Sequence, residues 1–383
     1  MRKIKYLLVF SIFLTQLALS ITWTSRRITY TPGLSQKADI AVYKNNIHVV
    51  WAEKSPAIGN YEIFYKRSID NGQTWVYVKR LTVNTGDSTN PAIAVSGNNI
   101  HLVWQDSNPG CYQIYYKKST DNGLTWSKAK RLTFTCYRNA YYPSIVASGN
   151  TIHIVWSNFT YVGYNWEIWY KKSIDNGQTW SSAKRLTYSS GTSDWPSIAV
   201  AGNNIHVVWE DNNPGNYEIF YKKSTDNGQT WSSPKKLSVT SGLSLYPVIA
   251  VSGNNIHVVF VDTSSGIPNL FYRRSINNGS SWEVKNLTNE TTYSCKSPDI
   301  AISGNIVSIV FTKWISWLAL DICYKRSTDN GQGWTKTLQF SYSWGESLRP
   351  AIAISGKYTS IVHVVWEDNS PGNYEIYYKK GEY

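Results

Sequence analysis

The sequence predicts an all-β fold, a seven-bladed β-propeller of four-stranded antiparallel blades, and three observations carry that prediction. The first is a short box, Ser-x-Asp-x-Gly-x-Thr-Trp in its fullest form, written six times. The copies lie at 68–75, 119–126, 173–180, 224–231, 275–282 and 327–334, a period of 51 to 54 residues. A fixed period of this size marks units that bury their apolar faces only against their neighbours. The second is periodicity: short alternating apolar runs bounded by Gly, Asn and Ser recur throughout, and no long segment carries a 3.6-residue repeat. The third is the innermost run of each unit, which opens at Ala38, Pro91, Pro143, Pro196, Pro247, Pro298 and Pro350 and so counts seven units.

One unit shows the strand order. Residues 196–200 form the inner strand, small residues interleaved with apolar ones, and Gly202 with Asn203 and Asn204 turns the chain. Residues 205–209 form the second strand, 210–216 a polar loop and 217–223 the third strand. The box turns the chain again, and 232–238 runs back as the fourth. Four antiparallel strands in about 50 residues describe a propeller blade. The last unit stops at Tyr383, where its box would begin, and so lacks a fourth strand. Residues 23–29 align without gaps on 282–288, the strand after the fifth box. The N-terminal strand is therefore expected to complete the last blade and close the ring.

Within the box, a short Asp carboxylate can accept hydrogen bonds from turn amides, Gly permits positive φ, and Trp supplies an apolar plug. Asp70, Asp121, Asp175, Asp226 and Asp329 hold the position, with Asn277 in the fifth copy. The loop lacks the alternating oxygen ligands of a calcium site, so no metal and no cofactor is expected. These boxes resemble the Asp-box, or BNR repeat, of the sialidase (neuraminidase) superfamily. The resemblance covers six units and implies the propeller. It does not select an activity, because the box also occurs in sortilin-type receptors, other glycosidases and non-enzymatic assembly factors.

Residues 1–20 have the layout of a secretory signal peptide: Arg2, Lys3 and Lys5, an apolar stretch to about Leu19, and small residues at Ala18 and Ser20. Residues 21–383 are then a single propeller domain, secreted or displayed on the cell surface. A membrane is a partner only if the N-terminal segment stays uncleaved. The net charge of +13 falls to +10 with the signal peptide. Its basic pairs, such as Lys117-Lys118 and Lys222-Lys223, recur at one position per unit. They form a girdle that guards strand edges rather than a nucleic-acid patch, and no nucleic acid is expected. Cys111 and Cys136 map to one rim and are expected to pair in an oxidising compartment, and Cys295 with Cys323 is a second possible pair. All six His occupy one position of the second strand and are read as structural.

Chemistry is sought on the rim whose loops vary from unit to unit. The family resemblance implies, for a catalytic member, three arginines gripping a substrate carboxylate, a Tyr–Glu nucleophile pair and an acidic acid/base. Here no Arg-Ile-Pro-like motif opens the first unit, and Arg138 and Arg349 are the arginines on variable loops. If the chain is a hydrolase, its candidate residues are those two with Glu53, Asp211, Asp262 and Asp368. These four acids belong to a position two residues past the second-strand aromatic, where a polar cap on the loop is the favoured reading. The variable rim is rich in aromatic residues, and Tyr142, Trp195, Tyr246, Trp314, Trp317 and Trp344 are the candidate ligand contacts. Rings beside Ser, Thr and Asn suit sugar stacking or a protein interface. The leading expectation is a binding module for a glycan or an extracellular protein. An exo-acting glycoside hydrolase of sialidase type is the alternative, and a structural cell-envelope protein the third.

Overall fold

The computed structural model describes residues 23–382, apart from 55, 58, 109, 135–137, 162, 214 and 357–359. Residues 1–20, where a signal segment is expected, and Cys136 lie outside the described residues. Seven four-stranded antiparallel sheets are present, and in the last the N-terminal strand Trp23–Arg27 is the outer member, beside Glu375–Glu382, Ile361–Asp368 and Ser347–Ser355. Trp23 packs edge-on against Phe340 at 4.3 Å and against Tyr324 at 5.5 Å. Arg27 pairs with the fully buried carboxylate of Glu375 at 2.5 Å, and Thr29 donates its hydroxyl to the same group.

Blade four runs Ser193–Ala201, Asn204–Asp211, Glu218–Ser224 and Lys235–Lys236. Its outer strand is shorter than the sequence predicts. Ser232 shares two bonds with Lys223, its amide donating to the Lys223 carbonyl and its hydroxyl accepting the Lys223 amide, and pairing resumes only at Lys235. Its inner strand is longer, because pairing continues past a bulge between Asp194 and Ser197. The same bulge recurs in all seven inner strands. Second strands read as continuous apolar runs because each is covered on both faces. Val208 packs with Ile249, Val258 and Phe260 of the next blade, whereas Val207 packs with Val155 and Ile168 of the preceding one.

The boxes tie each blade to its predecessor. In the second box the Asp121 carboxylate accepts the Thr125 amide at 2.9 Å and the Ser119 hydroxyl at 2.7 Å. The Thr125 hydroxyl and amide, with the Ser119 hydroxyl, hold this carboxyl down to about 2. Trp126 meets Tyr65 of blade one edge-on at 5.1 Å. Gly123, at φ +85°, leaves room for the Tyr65 hydroxyl, which a Cβ at that position would overlap. The same hydroxyl bonds Nδ1 of His48 at 2.8 Å. In the fifth box Asn277 replaces the carboxylate without loss of the turn. Its Oδ1 accepts the Ser281 amide at 2.9 Å, and its Nδ2 donates to the Ser281 hydroxyl at 2.8 Å.

The histidines thus belong to inter-blade ties, and burial holds His206 down to about 4. The unfolded chain takes up this proton near pH 6.5, so it binds more protons than the folded one between pH 6.5 and about 4. Stability is therefore lost as pH falls through that window. We expect His206→Gln to melt below the parent at pH 7.5 and the gap to narrow by pH 4. A gap constant across that range in thermal melts would contradict the assignment.

The basic pairs serve the same purpose rather than guarding edges. Lys222 Nζ donates to the Leu186 carbonyl of the preceding blade, and Lys223 Nζ to the Asn278 carbonyl of the following one, each at 2.7 Å. Lys117 and Lys118 do the same with Leu81 and Asn176. The pair Cys295–Cys323 is corrected: both are free, buried thiols. Cys295 and Cys323 lie on the inner and third strands of blade six, with Ile306–Ser316 between them. Two strand spacings of about 4.8 Å exceed the roughly 7 Å limit between Cα atoms for a disulfide. Burial instead pushes both thiols up to about 12.

Candidate functional site at the axial mouth

The bulge in each inner strand puts one residue per blade at the mouth of the central channel. These are Lys37, Asn90, Tyr142, Trp195, Tyr246, Ser297 and Arg349, and all seven have φ between 46° and 55°. Left-handed backbone at non-glycine residues costs on the order of 1 kcal/mol or more each, and bulky side chains are the least suited to it. The surrounding structure pins several of them. The amides of Lys37, Tyr142 and Tyr246 are each captured by a side chain of the preceding blade: Glu367 at 2.8 Å, Gln105 at 3.1 Å and Glu210 at 2.7 Å. The bulge turns these seven side chains into a cavity of about 740 Å3.

The cavity wall has two sides. Blades three, four and five supply rings: Tyr142 stacks on Trp195 at 3.9 Å and 19°, and Trp195 meets Tyr246 edge-on at 5.1 Å. Trp195 and Tyr246 remain 38% exposed at the mouth. Blades six, seven and one supply cations: Lys296, Arg349 and Lys37. Burial lowers both lysine pKa values, and the nearby Arg349 charge lowers them further. Arg349 is paired with buried Glu367, yet half of its side chain stays exposed. In the wall, Asp39 and Asp299 each accept the amide of the next residue and one from the next blade, Ile93 and Ile352, at 2.8 to 2.9 Å. These bonds tie neighbouring inner strands together, and burial pushes the two carboxyls up to about 6 and about 7. Burial pushes Glu210, behind Tyr246, up to about 8.

The structure thus gathers Tyr142, Trp195, Tyr246 and Arg349 at one mouth. It does not bring the other candidates there. Asp211 accepts the hydroxyls of Ser193 and Ser189 and the Asn213 amide, and Asp262 and Asp368 hold the matching loops of blades five and seven. Glu53 accepts the Trp51 indole at 3.0 Å. All four are buried and outside the cavity wall: the three aspartates cap their own loops, and Glu53 accepts from Trp51 and Ser35 within its blade. Arg138 lies over Tyr161 at 5.1 Å, also outside the cavity. Trp314 stands 5.9 Å from Lys296, at the margin of the cationic side. Trp317 and Trp344, 81% and 101% exposed, are on the outer rim. No group of three or more His, Cys, Asp or Glu suited to a metal occurs among the described residues.

Lys37, Asn90, Lys296 and Ser297 were missed, as were the supporting Gln105, Glu210 and Glu367. One signal could have found six of the seven mouth positions: the residue before the inner-strand Pro is Asn90, Tyr142, Trp195, Tyr246, Ser297 or Arg349, varied in chemistry within a constant frame.

No protein-family model matches the chain. A curated sialidase of Paraclostridium sordellii is 28% identical over 154 residues, which cover 31% of this chain and only 38% of that protein's length. Among solved structures, a Dyadobacter fermentans protein of unknown function superposes with a TM-score of 0.54 at 12% identity, over 94% of this chain and 99% of the other. An ulvan lyase bound to a glucuronate–sulfated rhamnose polymer gives 0.60 at 13%, over 92% and 95%. Trypanosoma rangeli sialidase in complex with the inhibitor DANA gives 0.52 at 12%, over 93% and 59%. The chain is a sialidase-like β-propeller in fold.

Proposed function

We propose that the protein is a secreted or surface-displayed glycan-binding module whose site is the axial mouth, and that it takes sugars bearing an acidic group. The observation that carries this reading is the two-sided wall. The contacting rings of Tyr142, Trp195 and Tyr246 offer an aromatic side for a sugar's C–H surface, while Lys37, Lys296 and Arg349 stand opposite for a carboxylate or sulfate. Strained backbone held in place at these positions supports a role beyond packing. The sugars bound by the ulvan lyase and by the trypanosomal sialidase support it by analogy of fold alone.

Binding without hydrolysis is favoured by the cation set. Arg349 is the arginine of the cavity wall, and its neighbours there are lysines, point charges without the bidentate fork. Purified residues 21–383 should retain acidic glycans on a glycan array and release no fluorophore from sialosides. Sialoside turnover abolished by Arg349→Ala would overturn the non-catalytic reading. An array blank for acidic glycans would overturn the glycan reading itself.

A further inference from the structure

The rings of the mouth continue outward. Tyr142 contacts Tyr141 at 5.9 Å, Tyr141 contacts Trp166 at 5.2 Å, and Trp166 contacts Phe159 at 5.5 Å. Phe159 meets Tyr161 at 5.8 Å, and Tyr161 meets Tyr164 at 6.1 Å. With Trp195 and Tyr246 this is a track of eight rings in unbroken contact, from the axis to the loop of blade three.

We propose that the track is the path of an extended polysaccharide, gripped along several sugar units rather than by one terminal residue; this rests on the glycan reading above. Four observations beyond the contacts support it. Blade three extends its second and third strands to Thr151–Thr160 and Asn165–Ser173, ten and nine residues against eight and seven in blade four. That extension carries Phe159 and Trp166, and the loop at its tip carries Tyr161 and Tyr164. The rings are not packed away: Tyr161 and Tyr164 are exposed, and the other outer rings are only part-covered, although each touches the next. A core would bury such rings, and a contiguous exposed patch marks a binding surface. Tyr164 also adopts φ +50°, the same strained conformation as the mouth residues. Finally, Arg138 sits over Tyr161 at the far end, and Lys37, Lys296 and Arg349 stand at the near end. A chain with acidic groups along its length would meet a cation at each end of the track.

The test compares the full protein with the double variant Tyr161→Ser/Tyr164→Ser and with Arg138→Gln, all first shown to melt like the parent. Each is titrated with polygalacturonate, polysialate and hyaluronan oligomers graded from dimer to octamer. For a polymer that binds, affinity should rise at least tenfold from dimer to octamer in the parent. The double variant should lose that gain while its dimer affinity stays unchanged, and Arg138→Gln should lose part of it. Equal affinity for dimer and octamer, or a double variant that keeps the full gain, overturns the track but leaves the mouth as a site for short sugars. Failure of every oligomer to bind, together with a blank array, overturns the glycan reading and the track with it.

Discussion

Deleting residues 21–30 should cost the protein most of its stability. The deletion strips the outer strand from blade seven, so that Glu375–Glu382 becomes an open edge able to pair with another chain. It also removes Arg27 and Thr29 from the buried Glu375 carboxylate. Stranding a buried charge in this way costs about 3–5 kcal/mol. Loss of Trp23 from its contacts with Phe340 and Tyr324 adds about 3 kcal/mol. At roughly 2 °C per kcal/mol for a chain of this size, the melting temperature should drop by about 10 °C or more, and the protein should aggregate on warming. Trp23→Ala alone should reproduce about half of that fall. A deletion that melts and sediments like the parent would show that the ring does not depend on this closure.

The second large effect is expected from Trp195→Asn, and it separates stability from binding. Trp195 holds φ +50° at the axial mouth, where Asn90 occupies the equivalent place in blade two at the same φ. Asn tolerates this region better than any bulky residue. Relief of about 1 kcal/mol of backbone strain should therefore offset part of the loss of the indole's contacts with Tyr142 and Tyr246. The variant should melt within a few degrees of the parent. Its affinity for an acidic oligosaccharide should fall by about 2 kcal/mol, the loss typical of a central aromatic contact, or about thirtyfold in Kd. Unchanged affinity in a well-folded variant would remove Trp195 from the site.

The fold was legible because it is written seven times. One box fixes the turn, the Tyr–Trp contact and the position of the next blade, and the gapless alignment of the first strand showed how the ring closes. The site was legible only in part, for a physical reason. Strand alternation places Tyr141 and Tyr142 on opposite faces, but the bulge between Tyr141 and Ser144 resets which side chain meets the axis. No periodicity reveals that shift, so Tyr142, Trp195, Tyr246 and Arg349 were found as loop residues rather than as one ring. Lys37 escaped because Ala38 stands where six other units have Pro. Glu210 and Glu367 looked like the start of polar loops, yet they are buried acceptors beneath the mouth. The acids at Asp211, Asp262 and Asp368 were legible as loop caps from their repeated position, and their hydrogen bonds commit each to its own loops.

A crystal of residues 21–383 soaked with the acidic oligosaccharide retained best on the array tests the central claim most directly. The account predicts a sugar ring lying on Trp195 within the axial cavity, its acidic group toward Arg349 and Lys37. A sugar seated instead on the outer rim at Trp317 or Trp344, with the axial cavity holding only solvent, would contradict it.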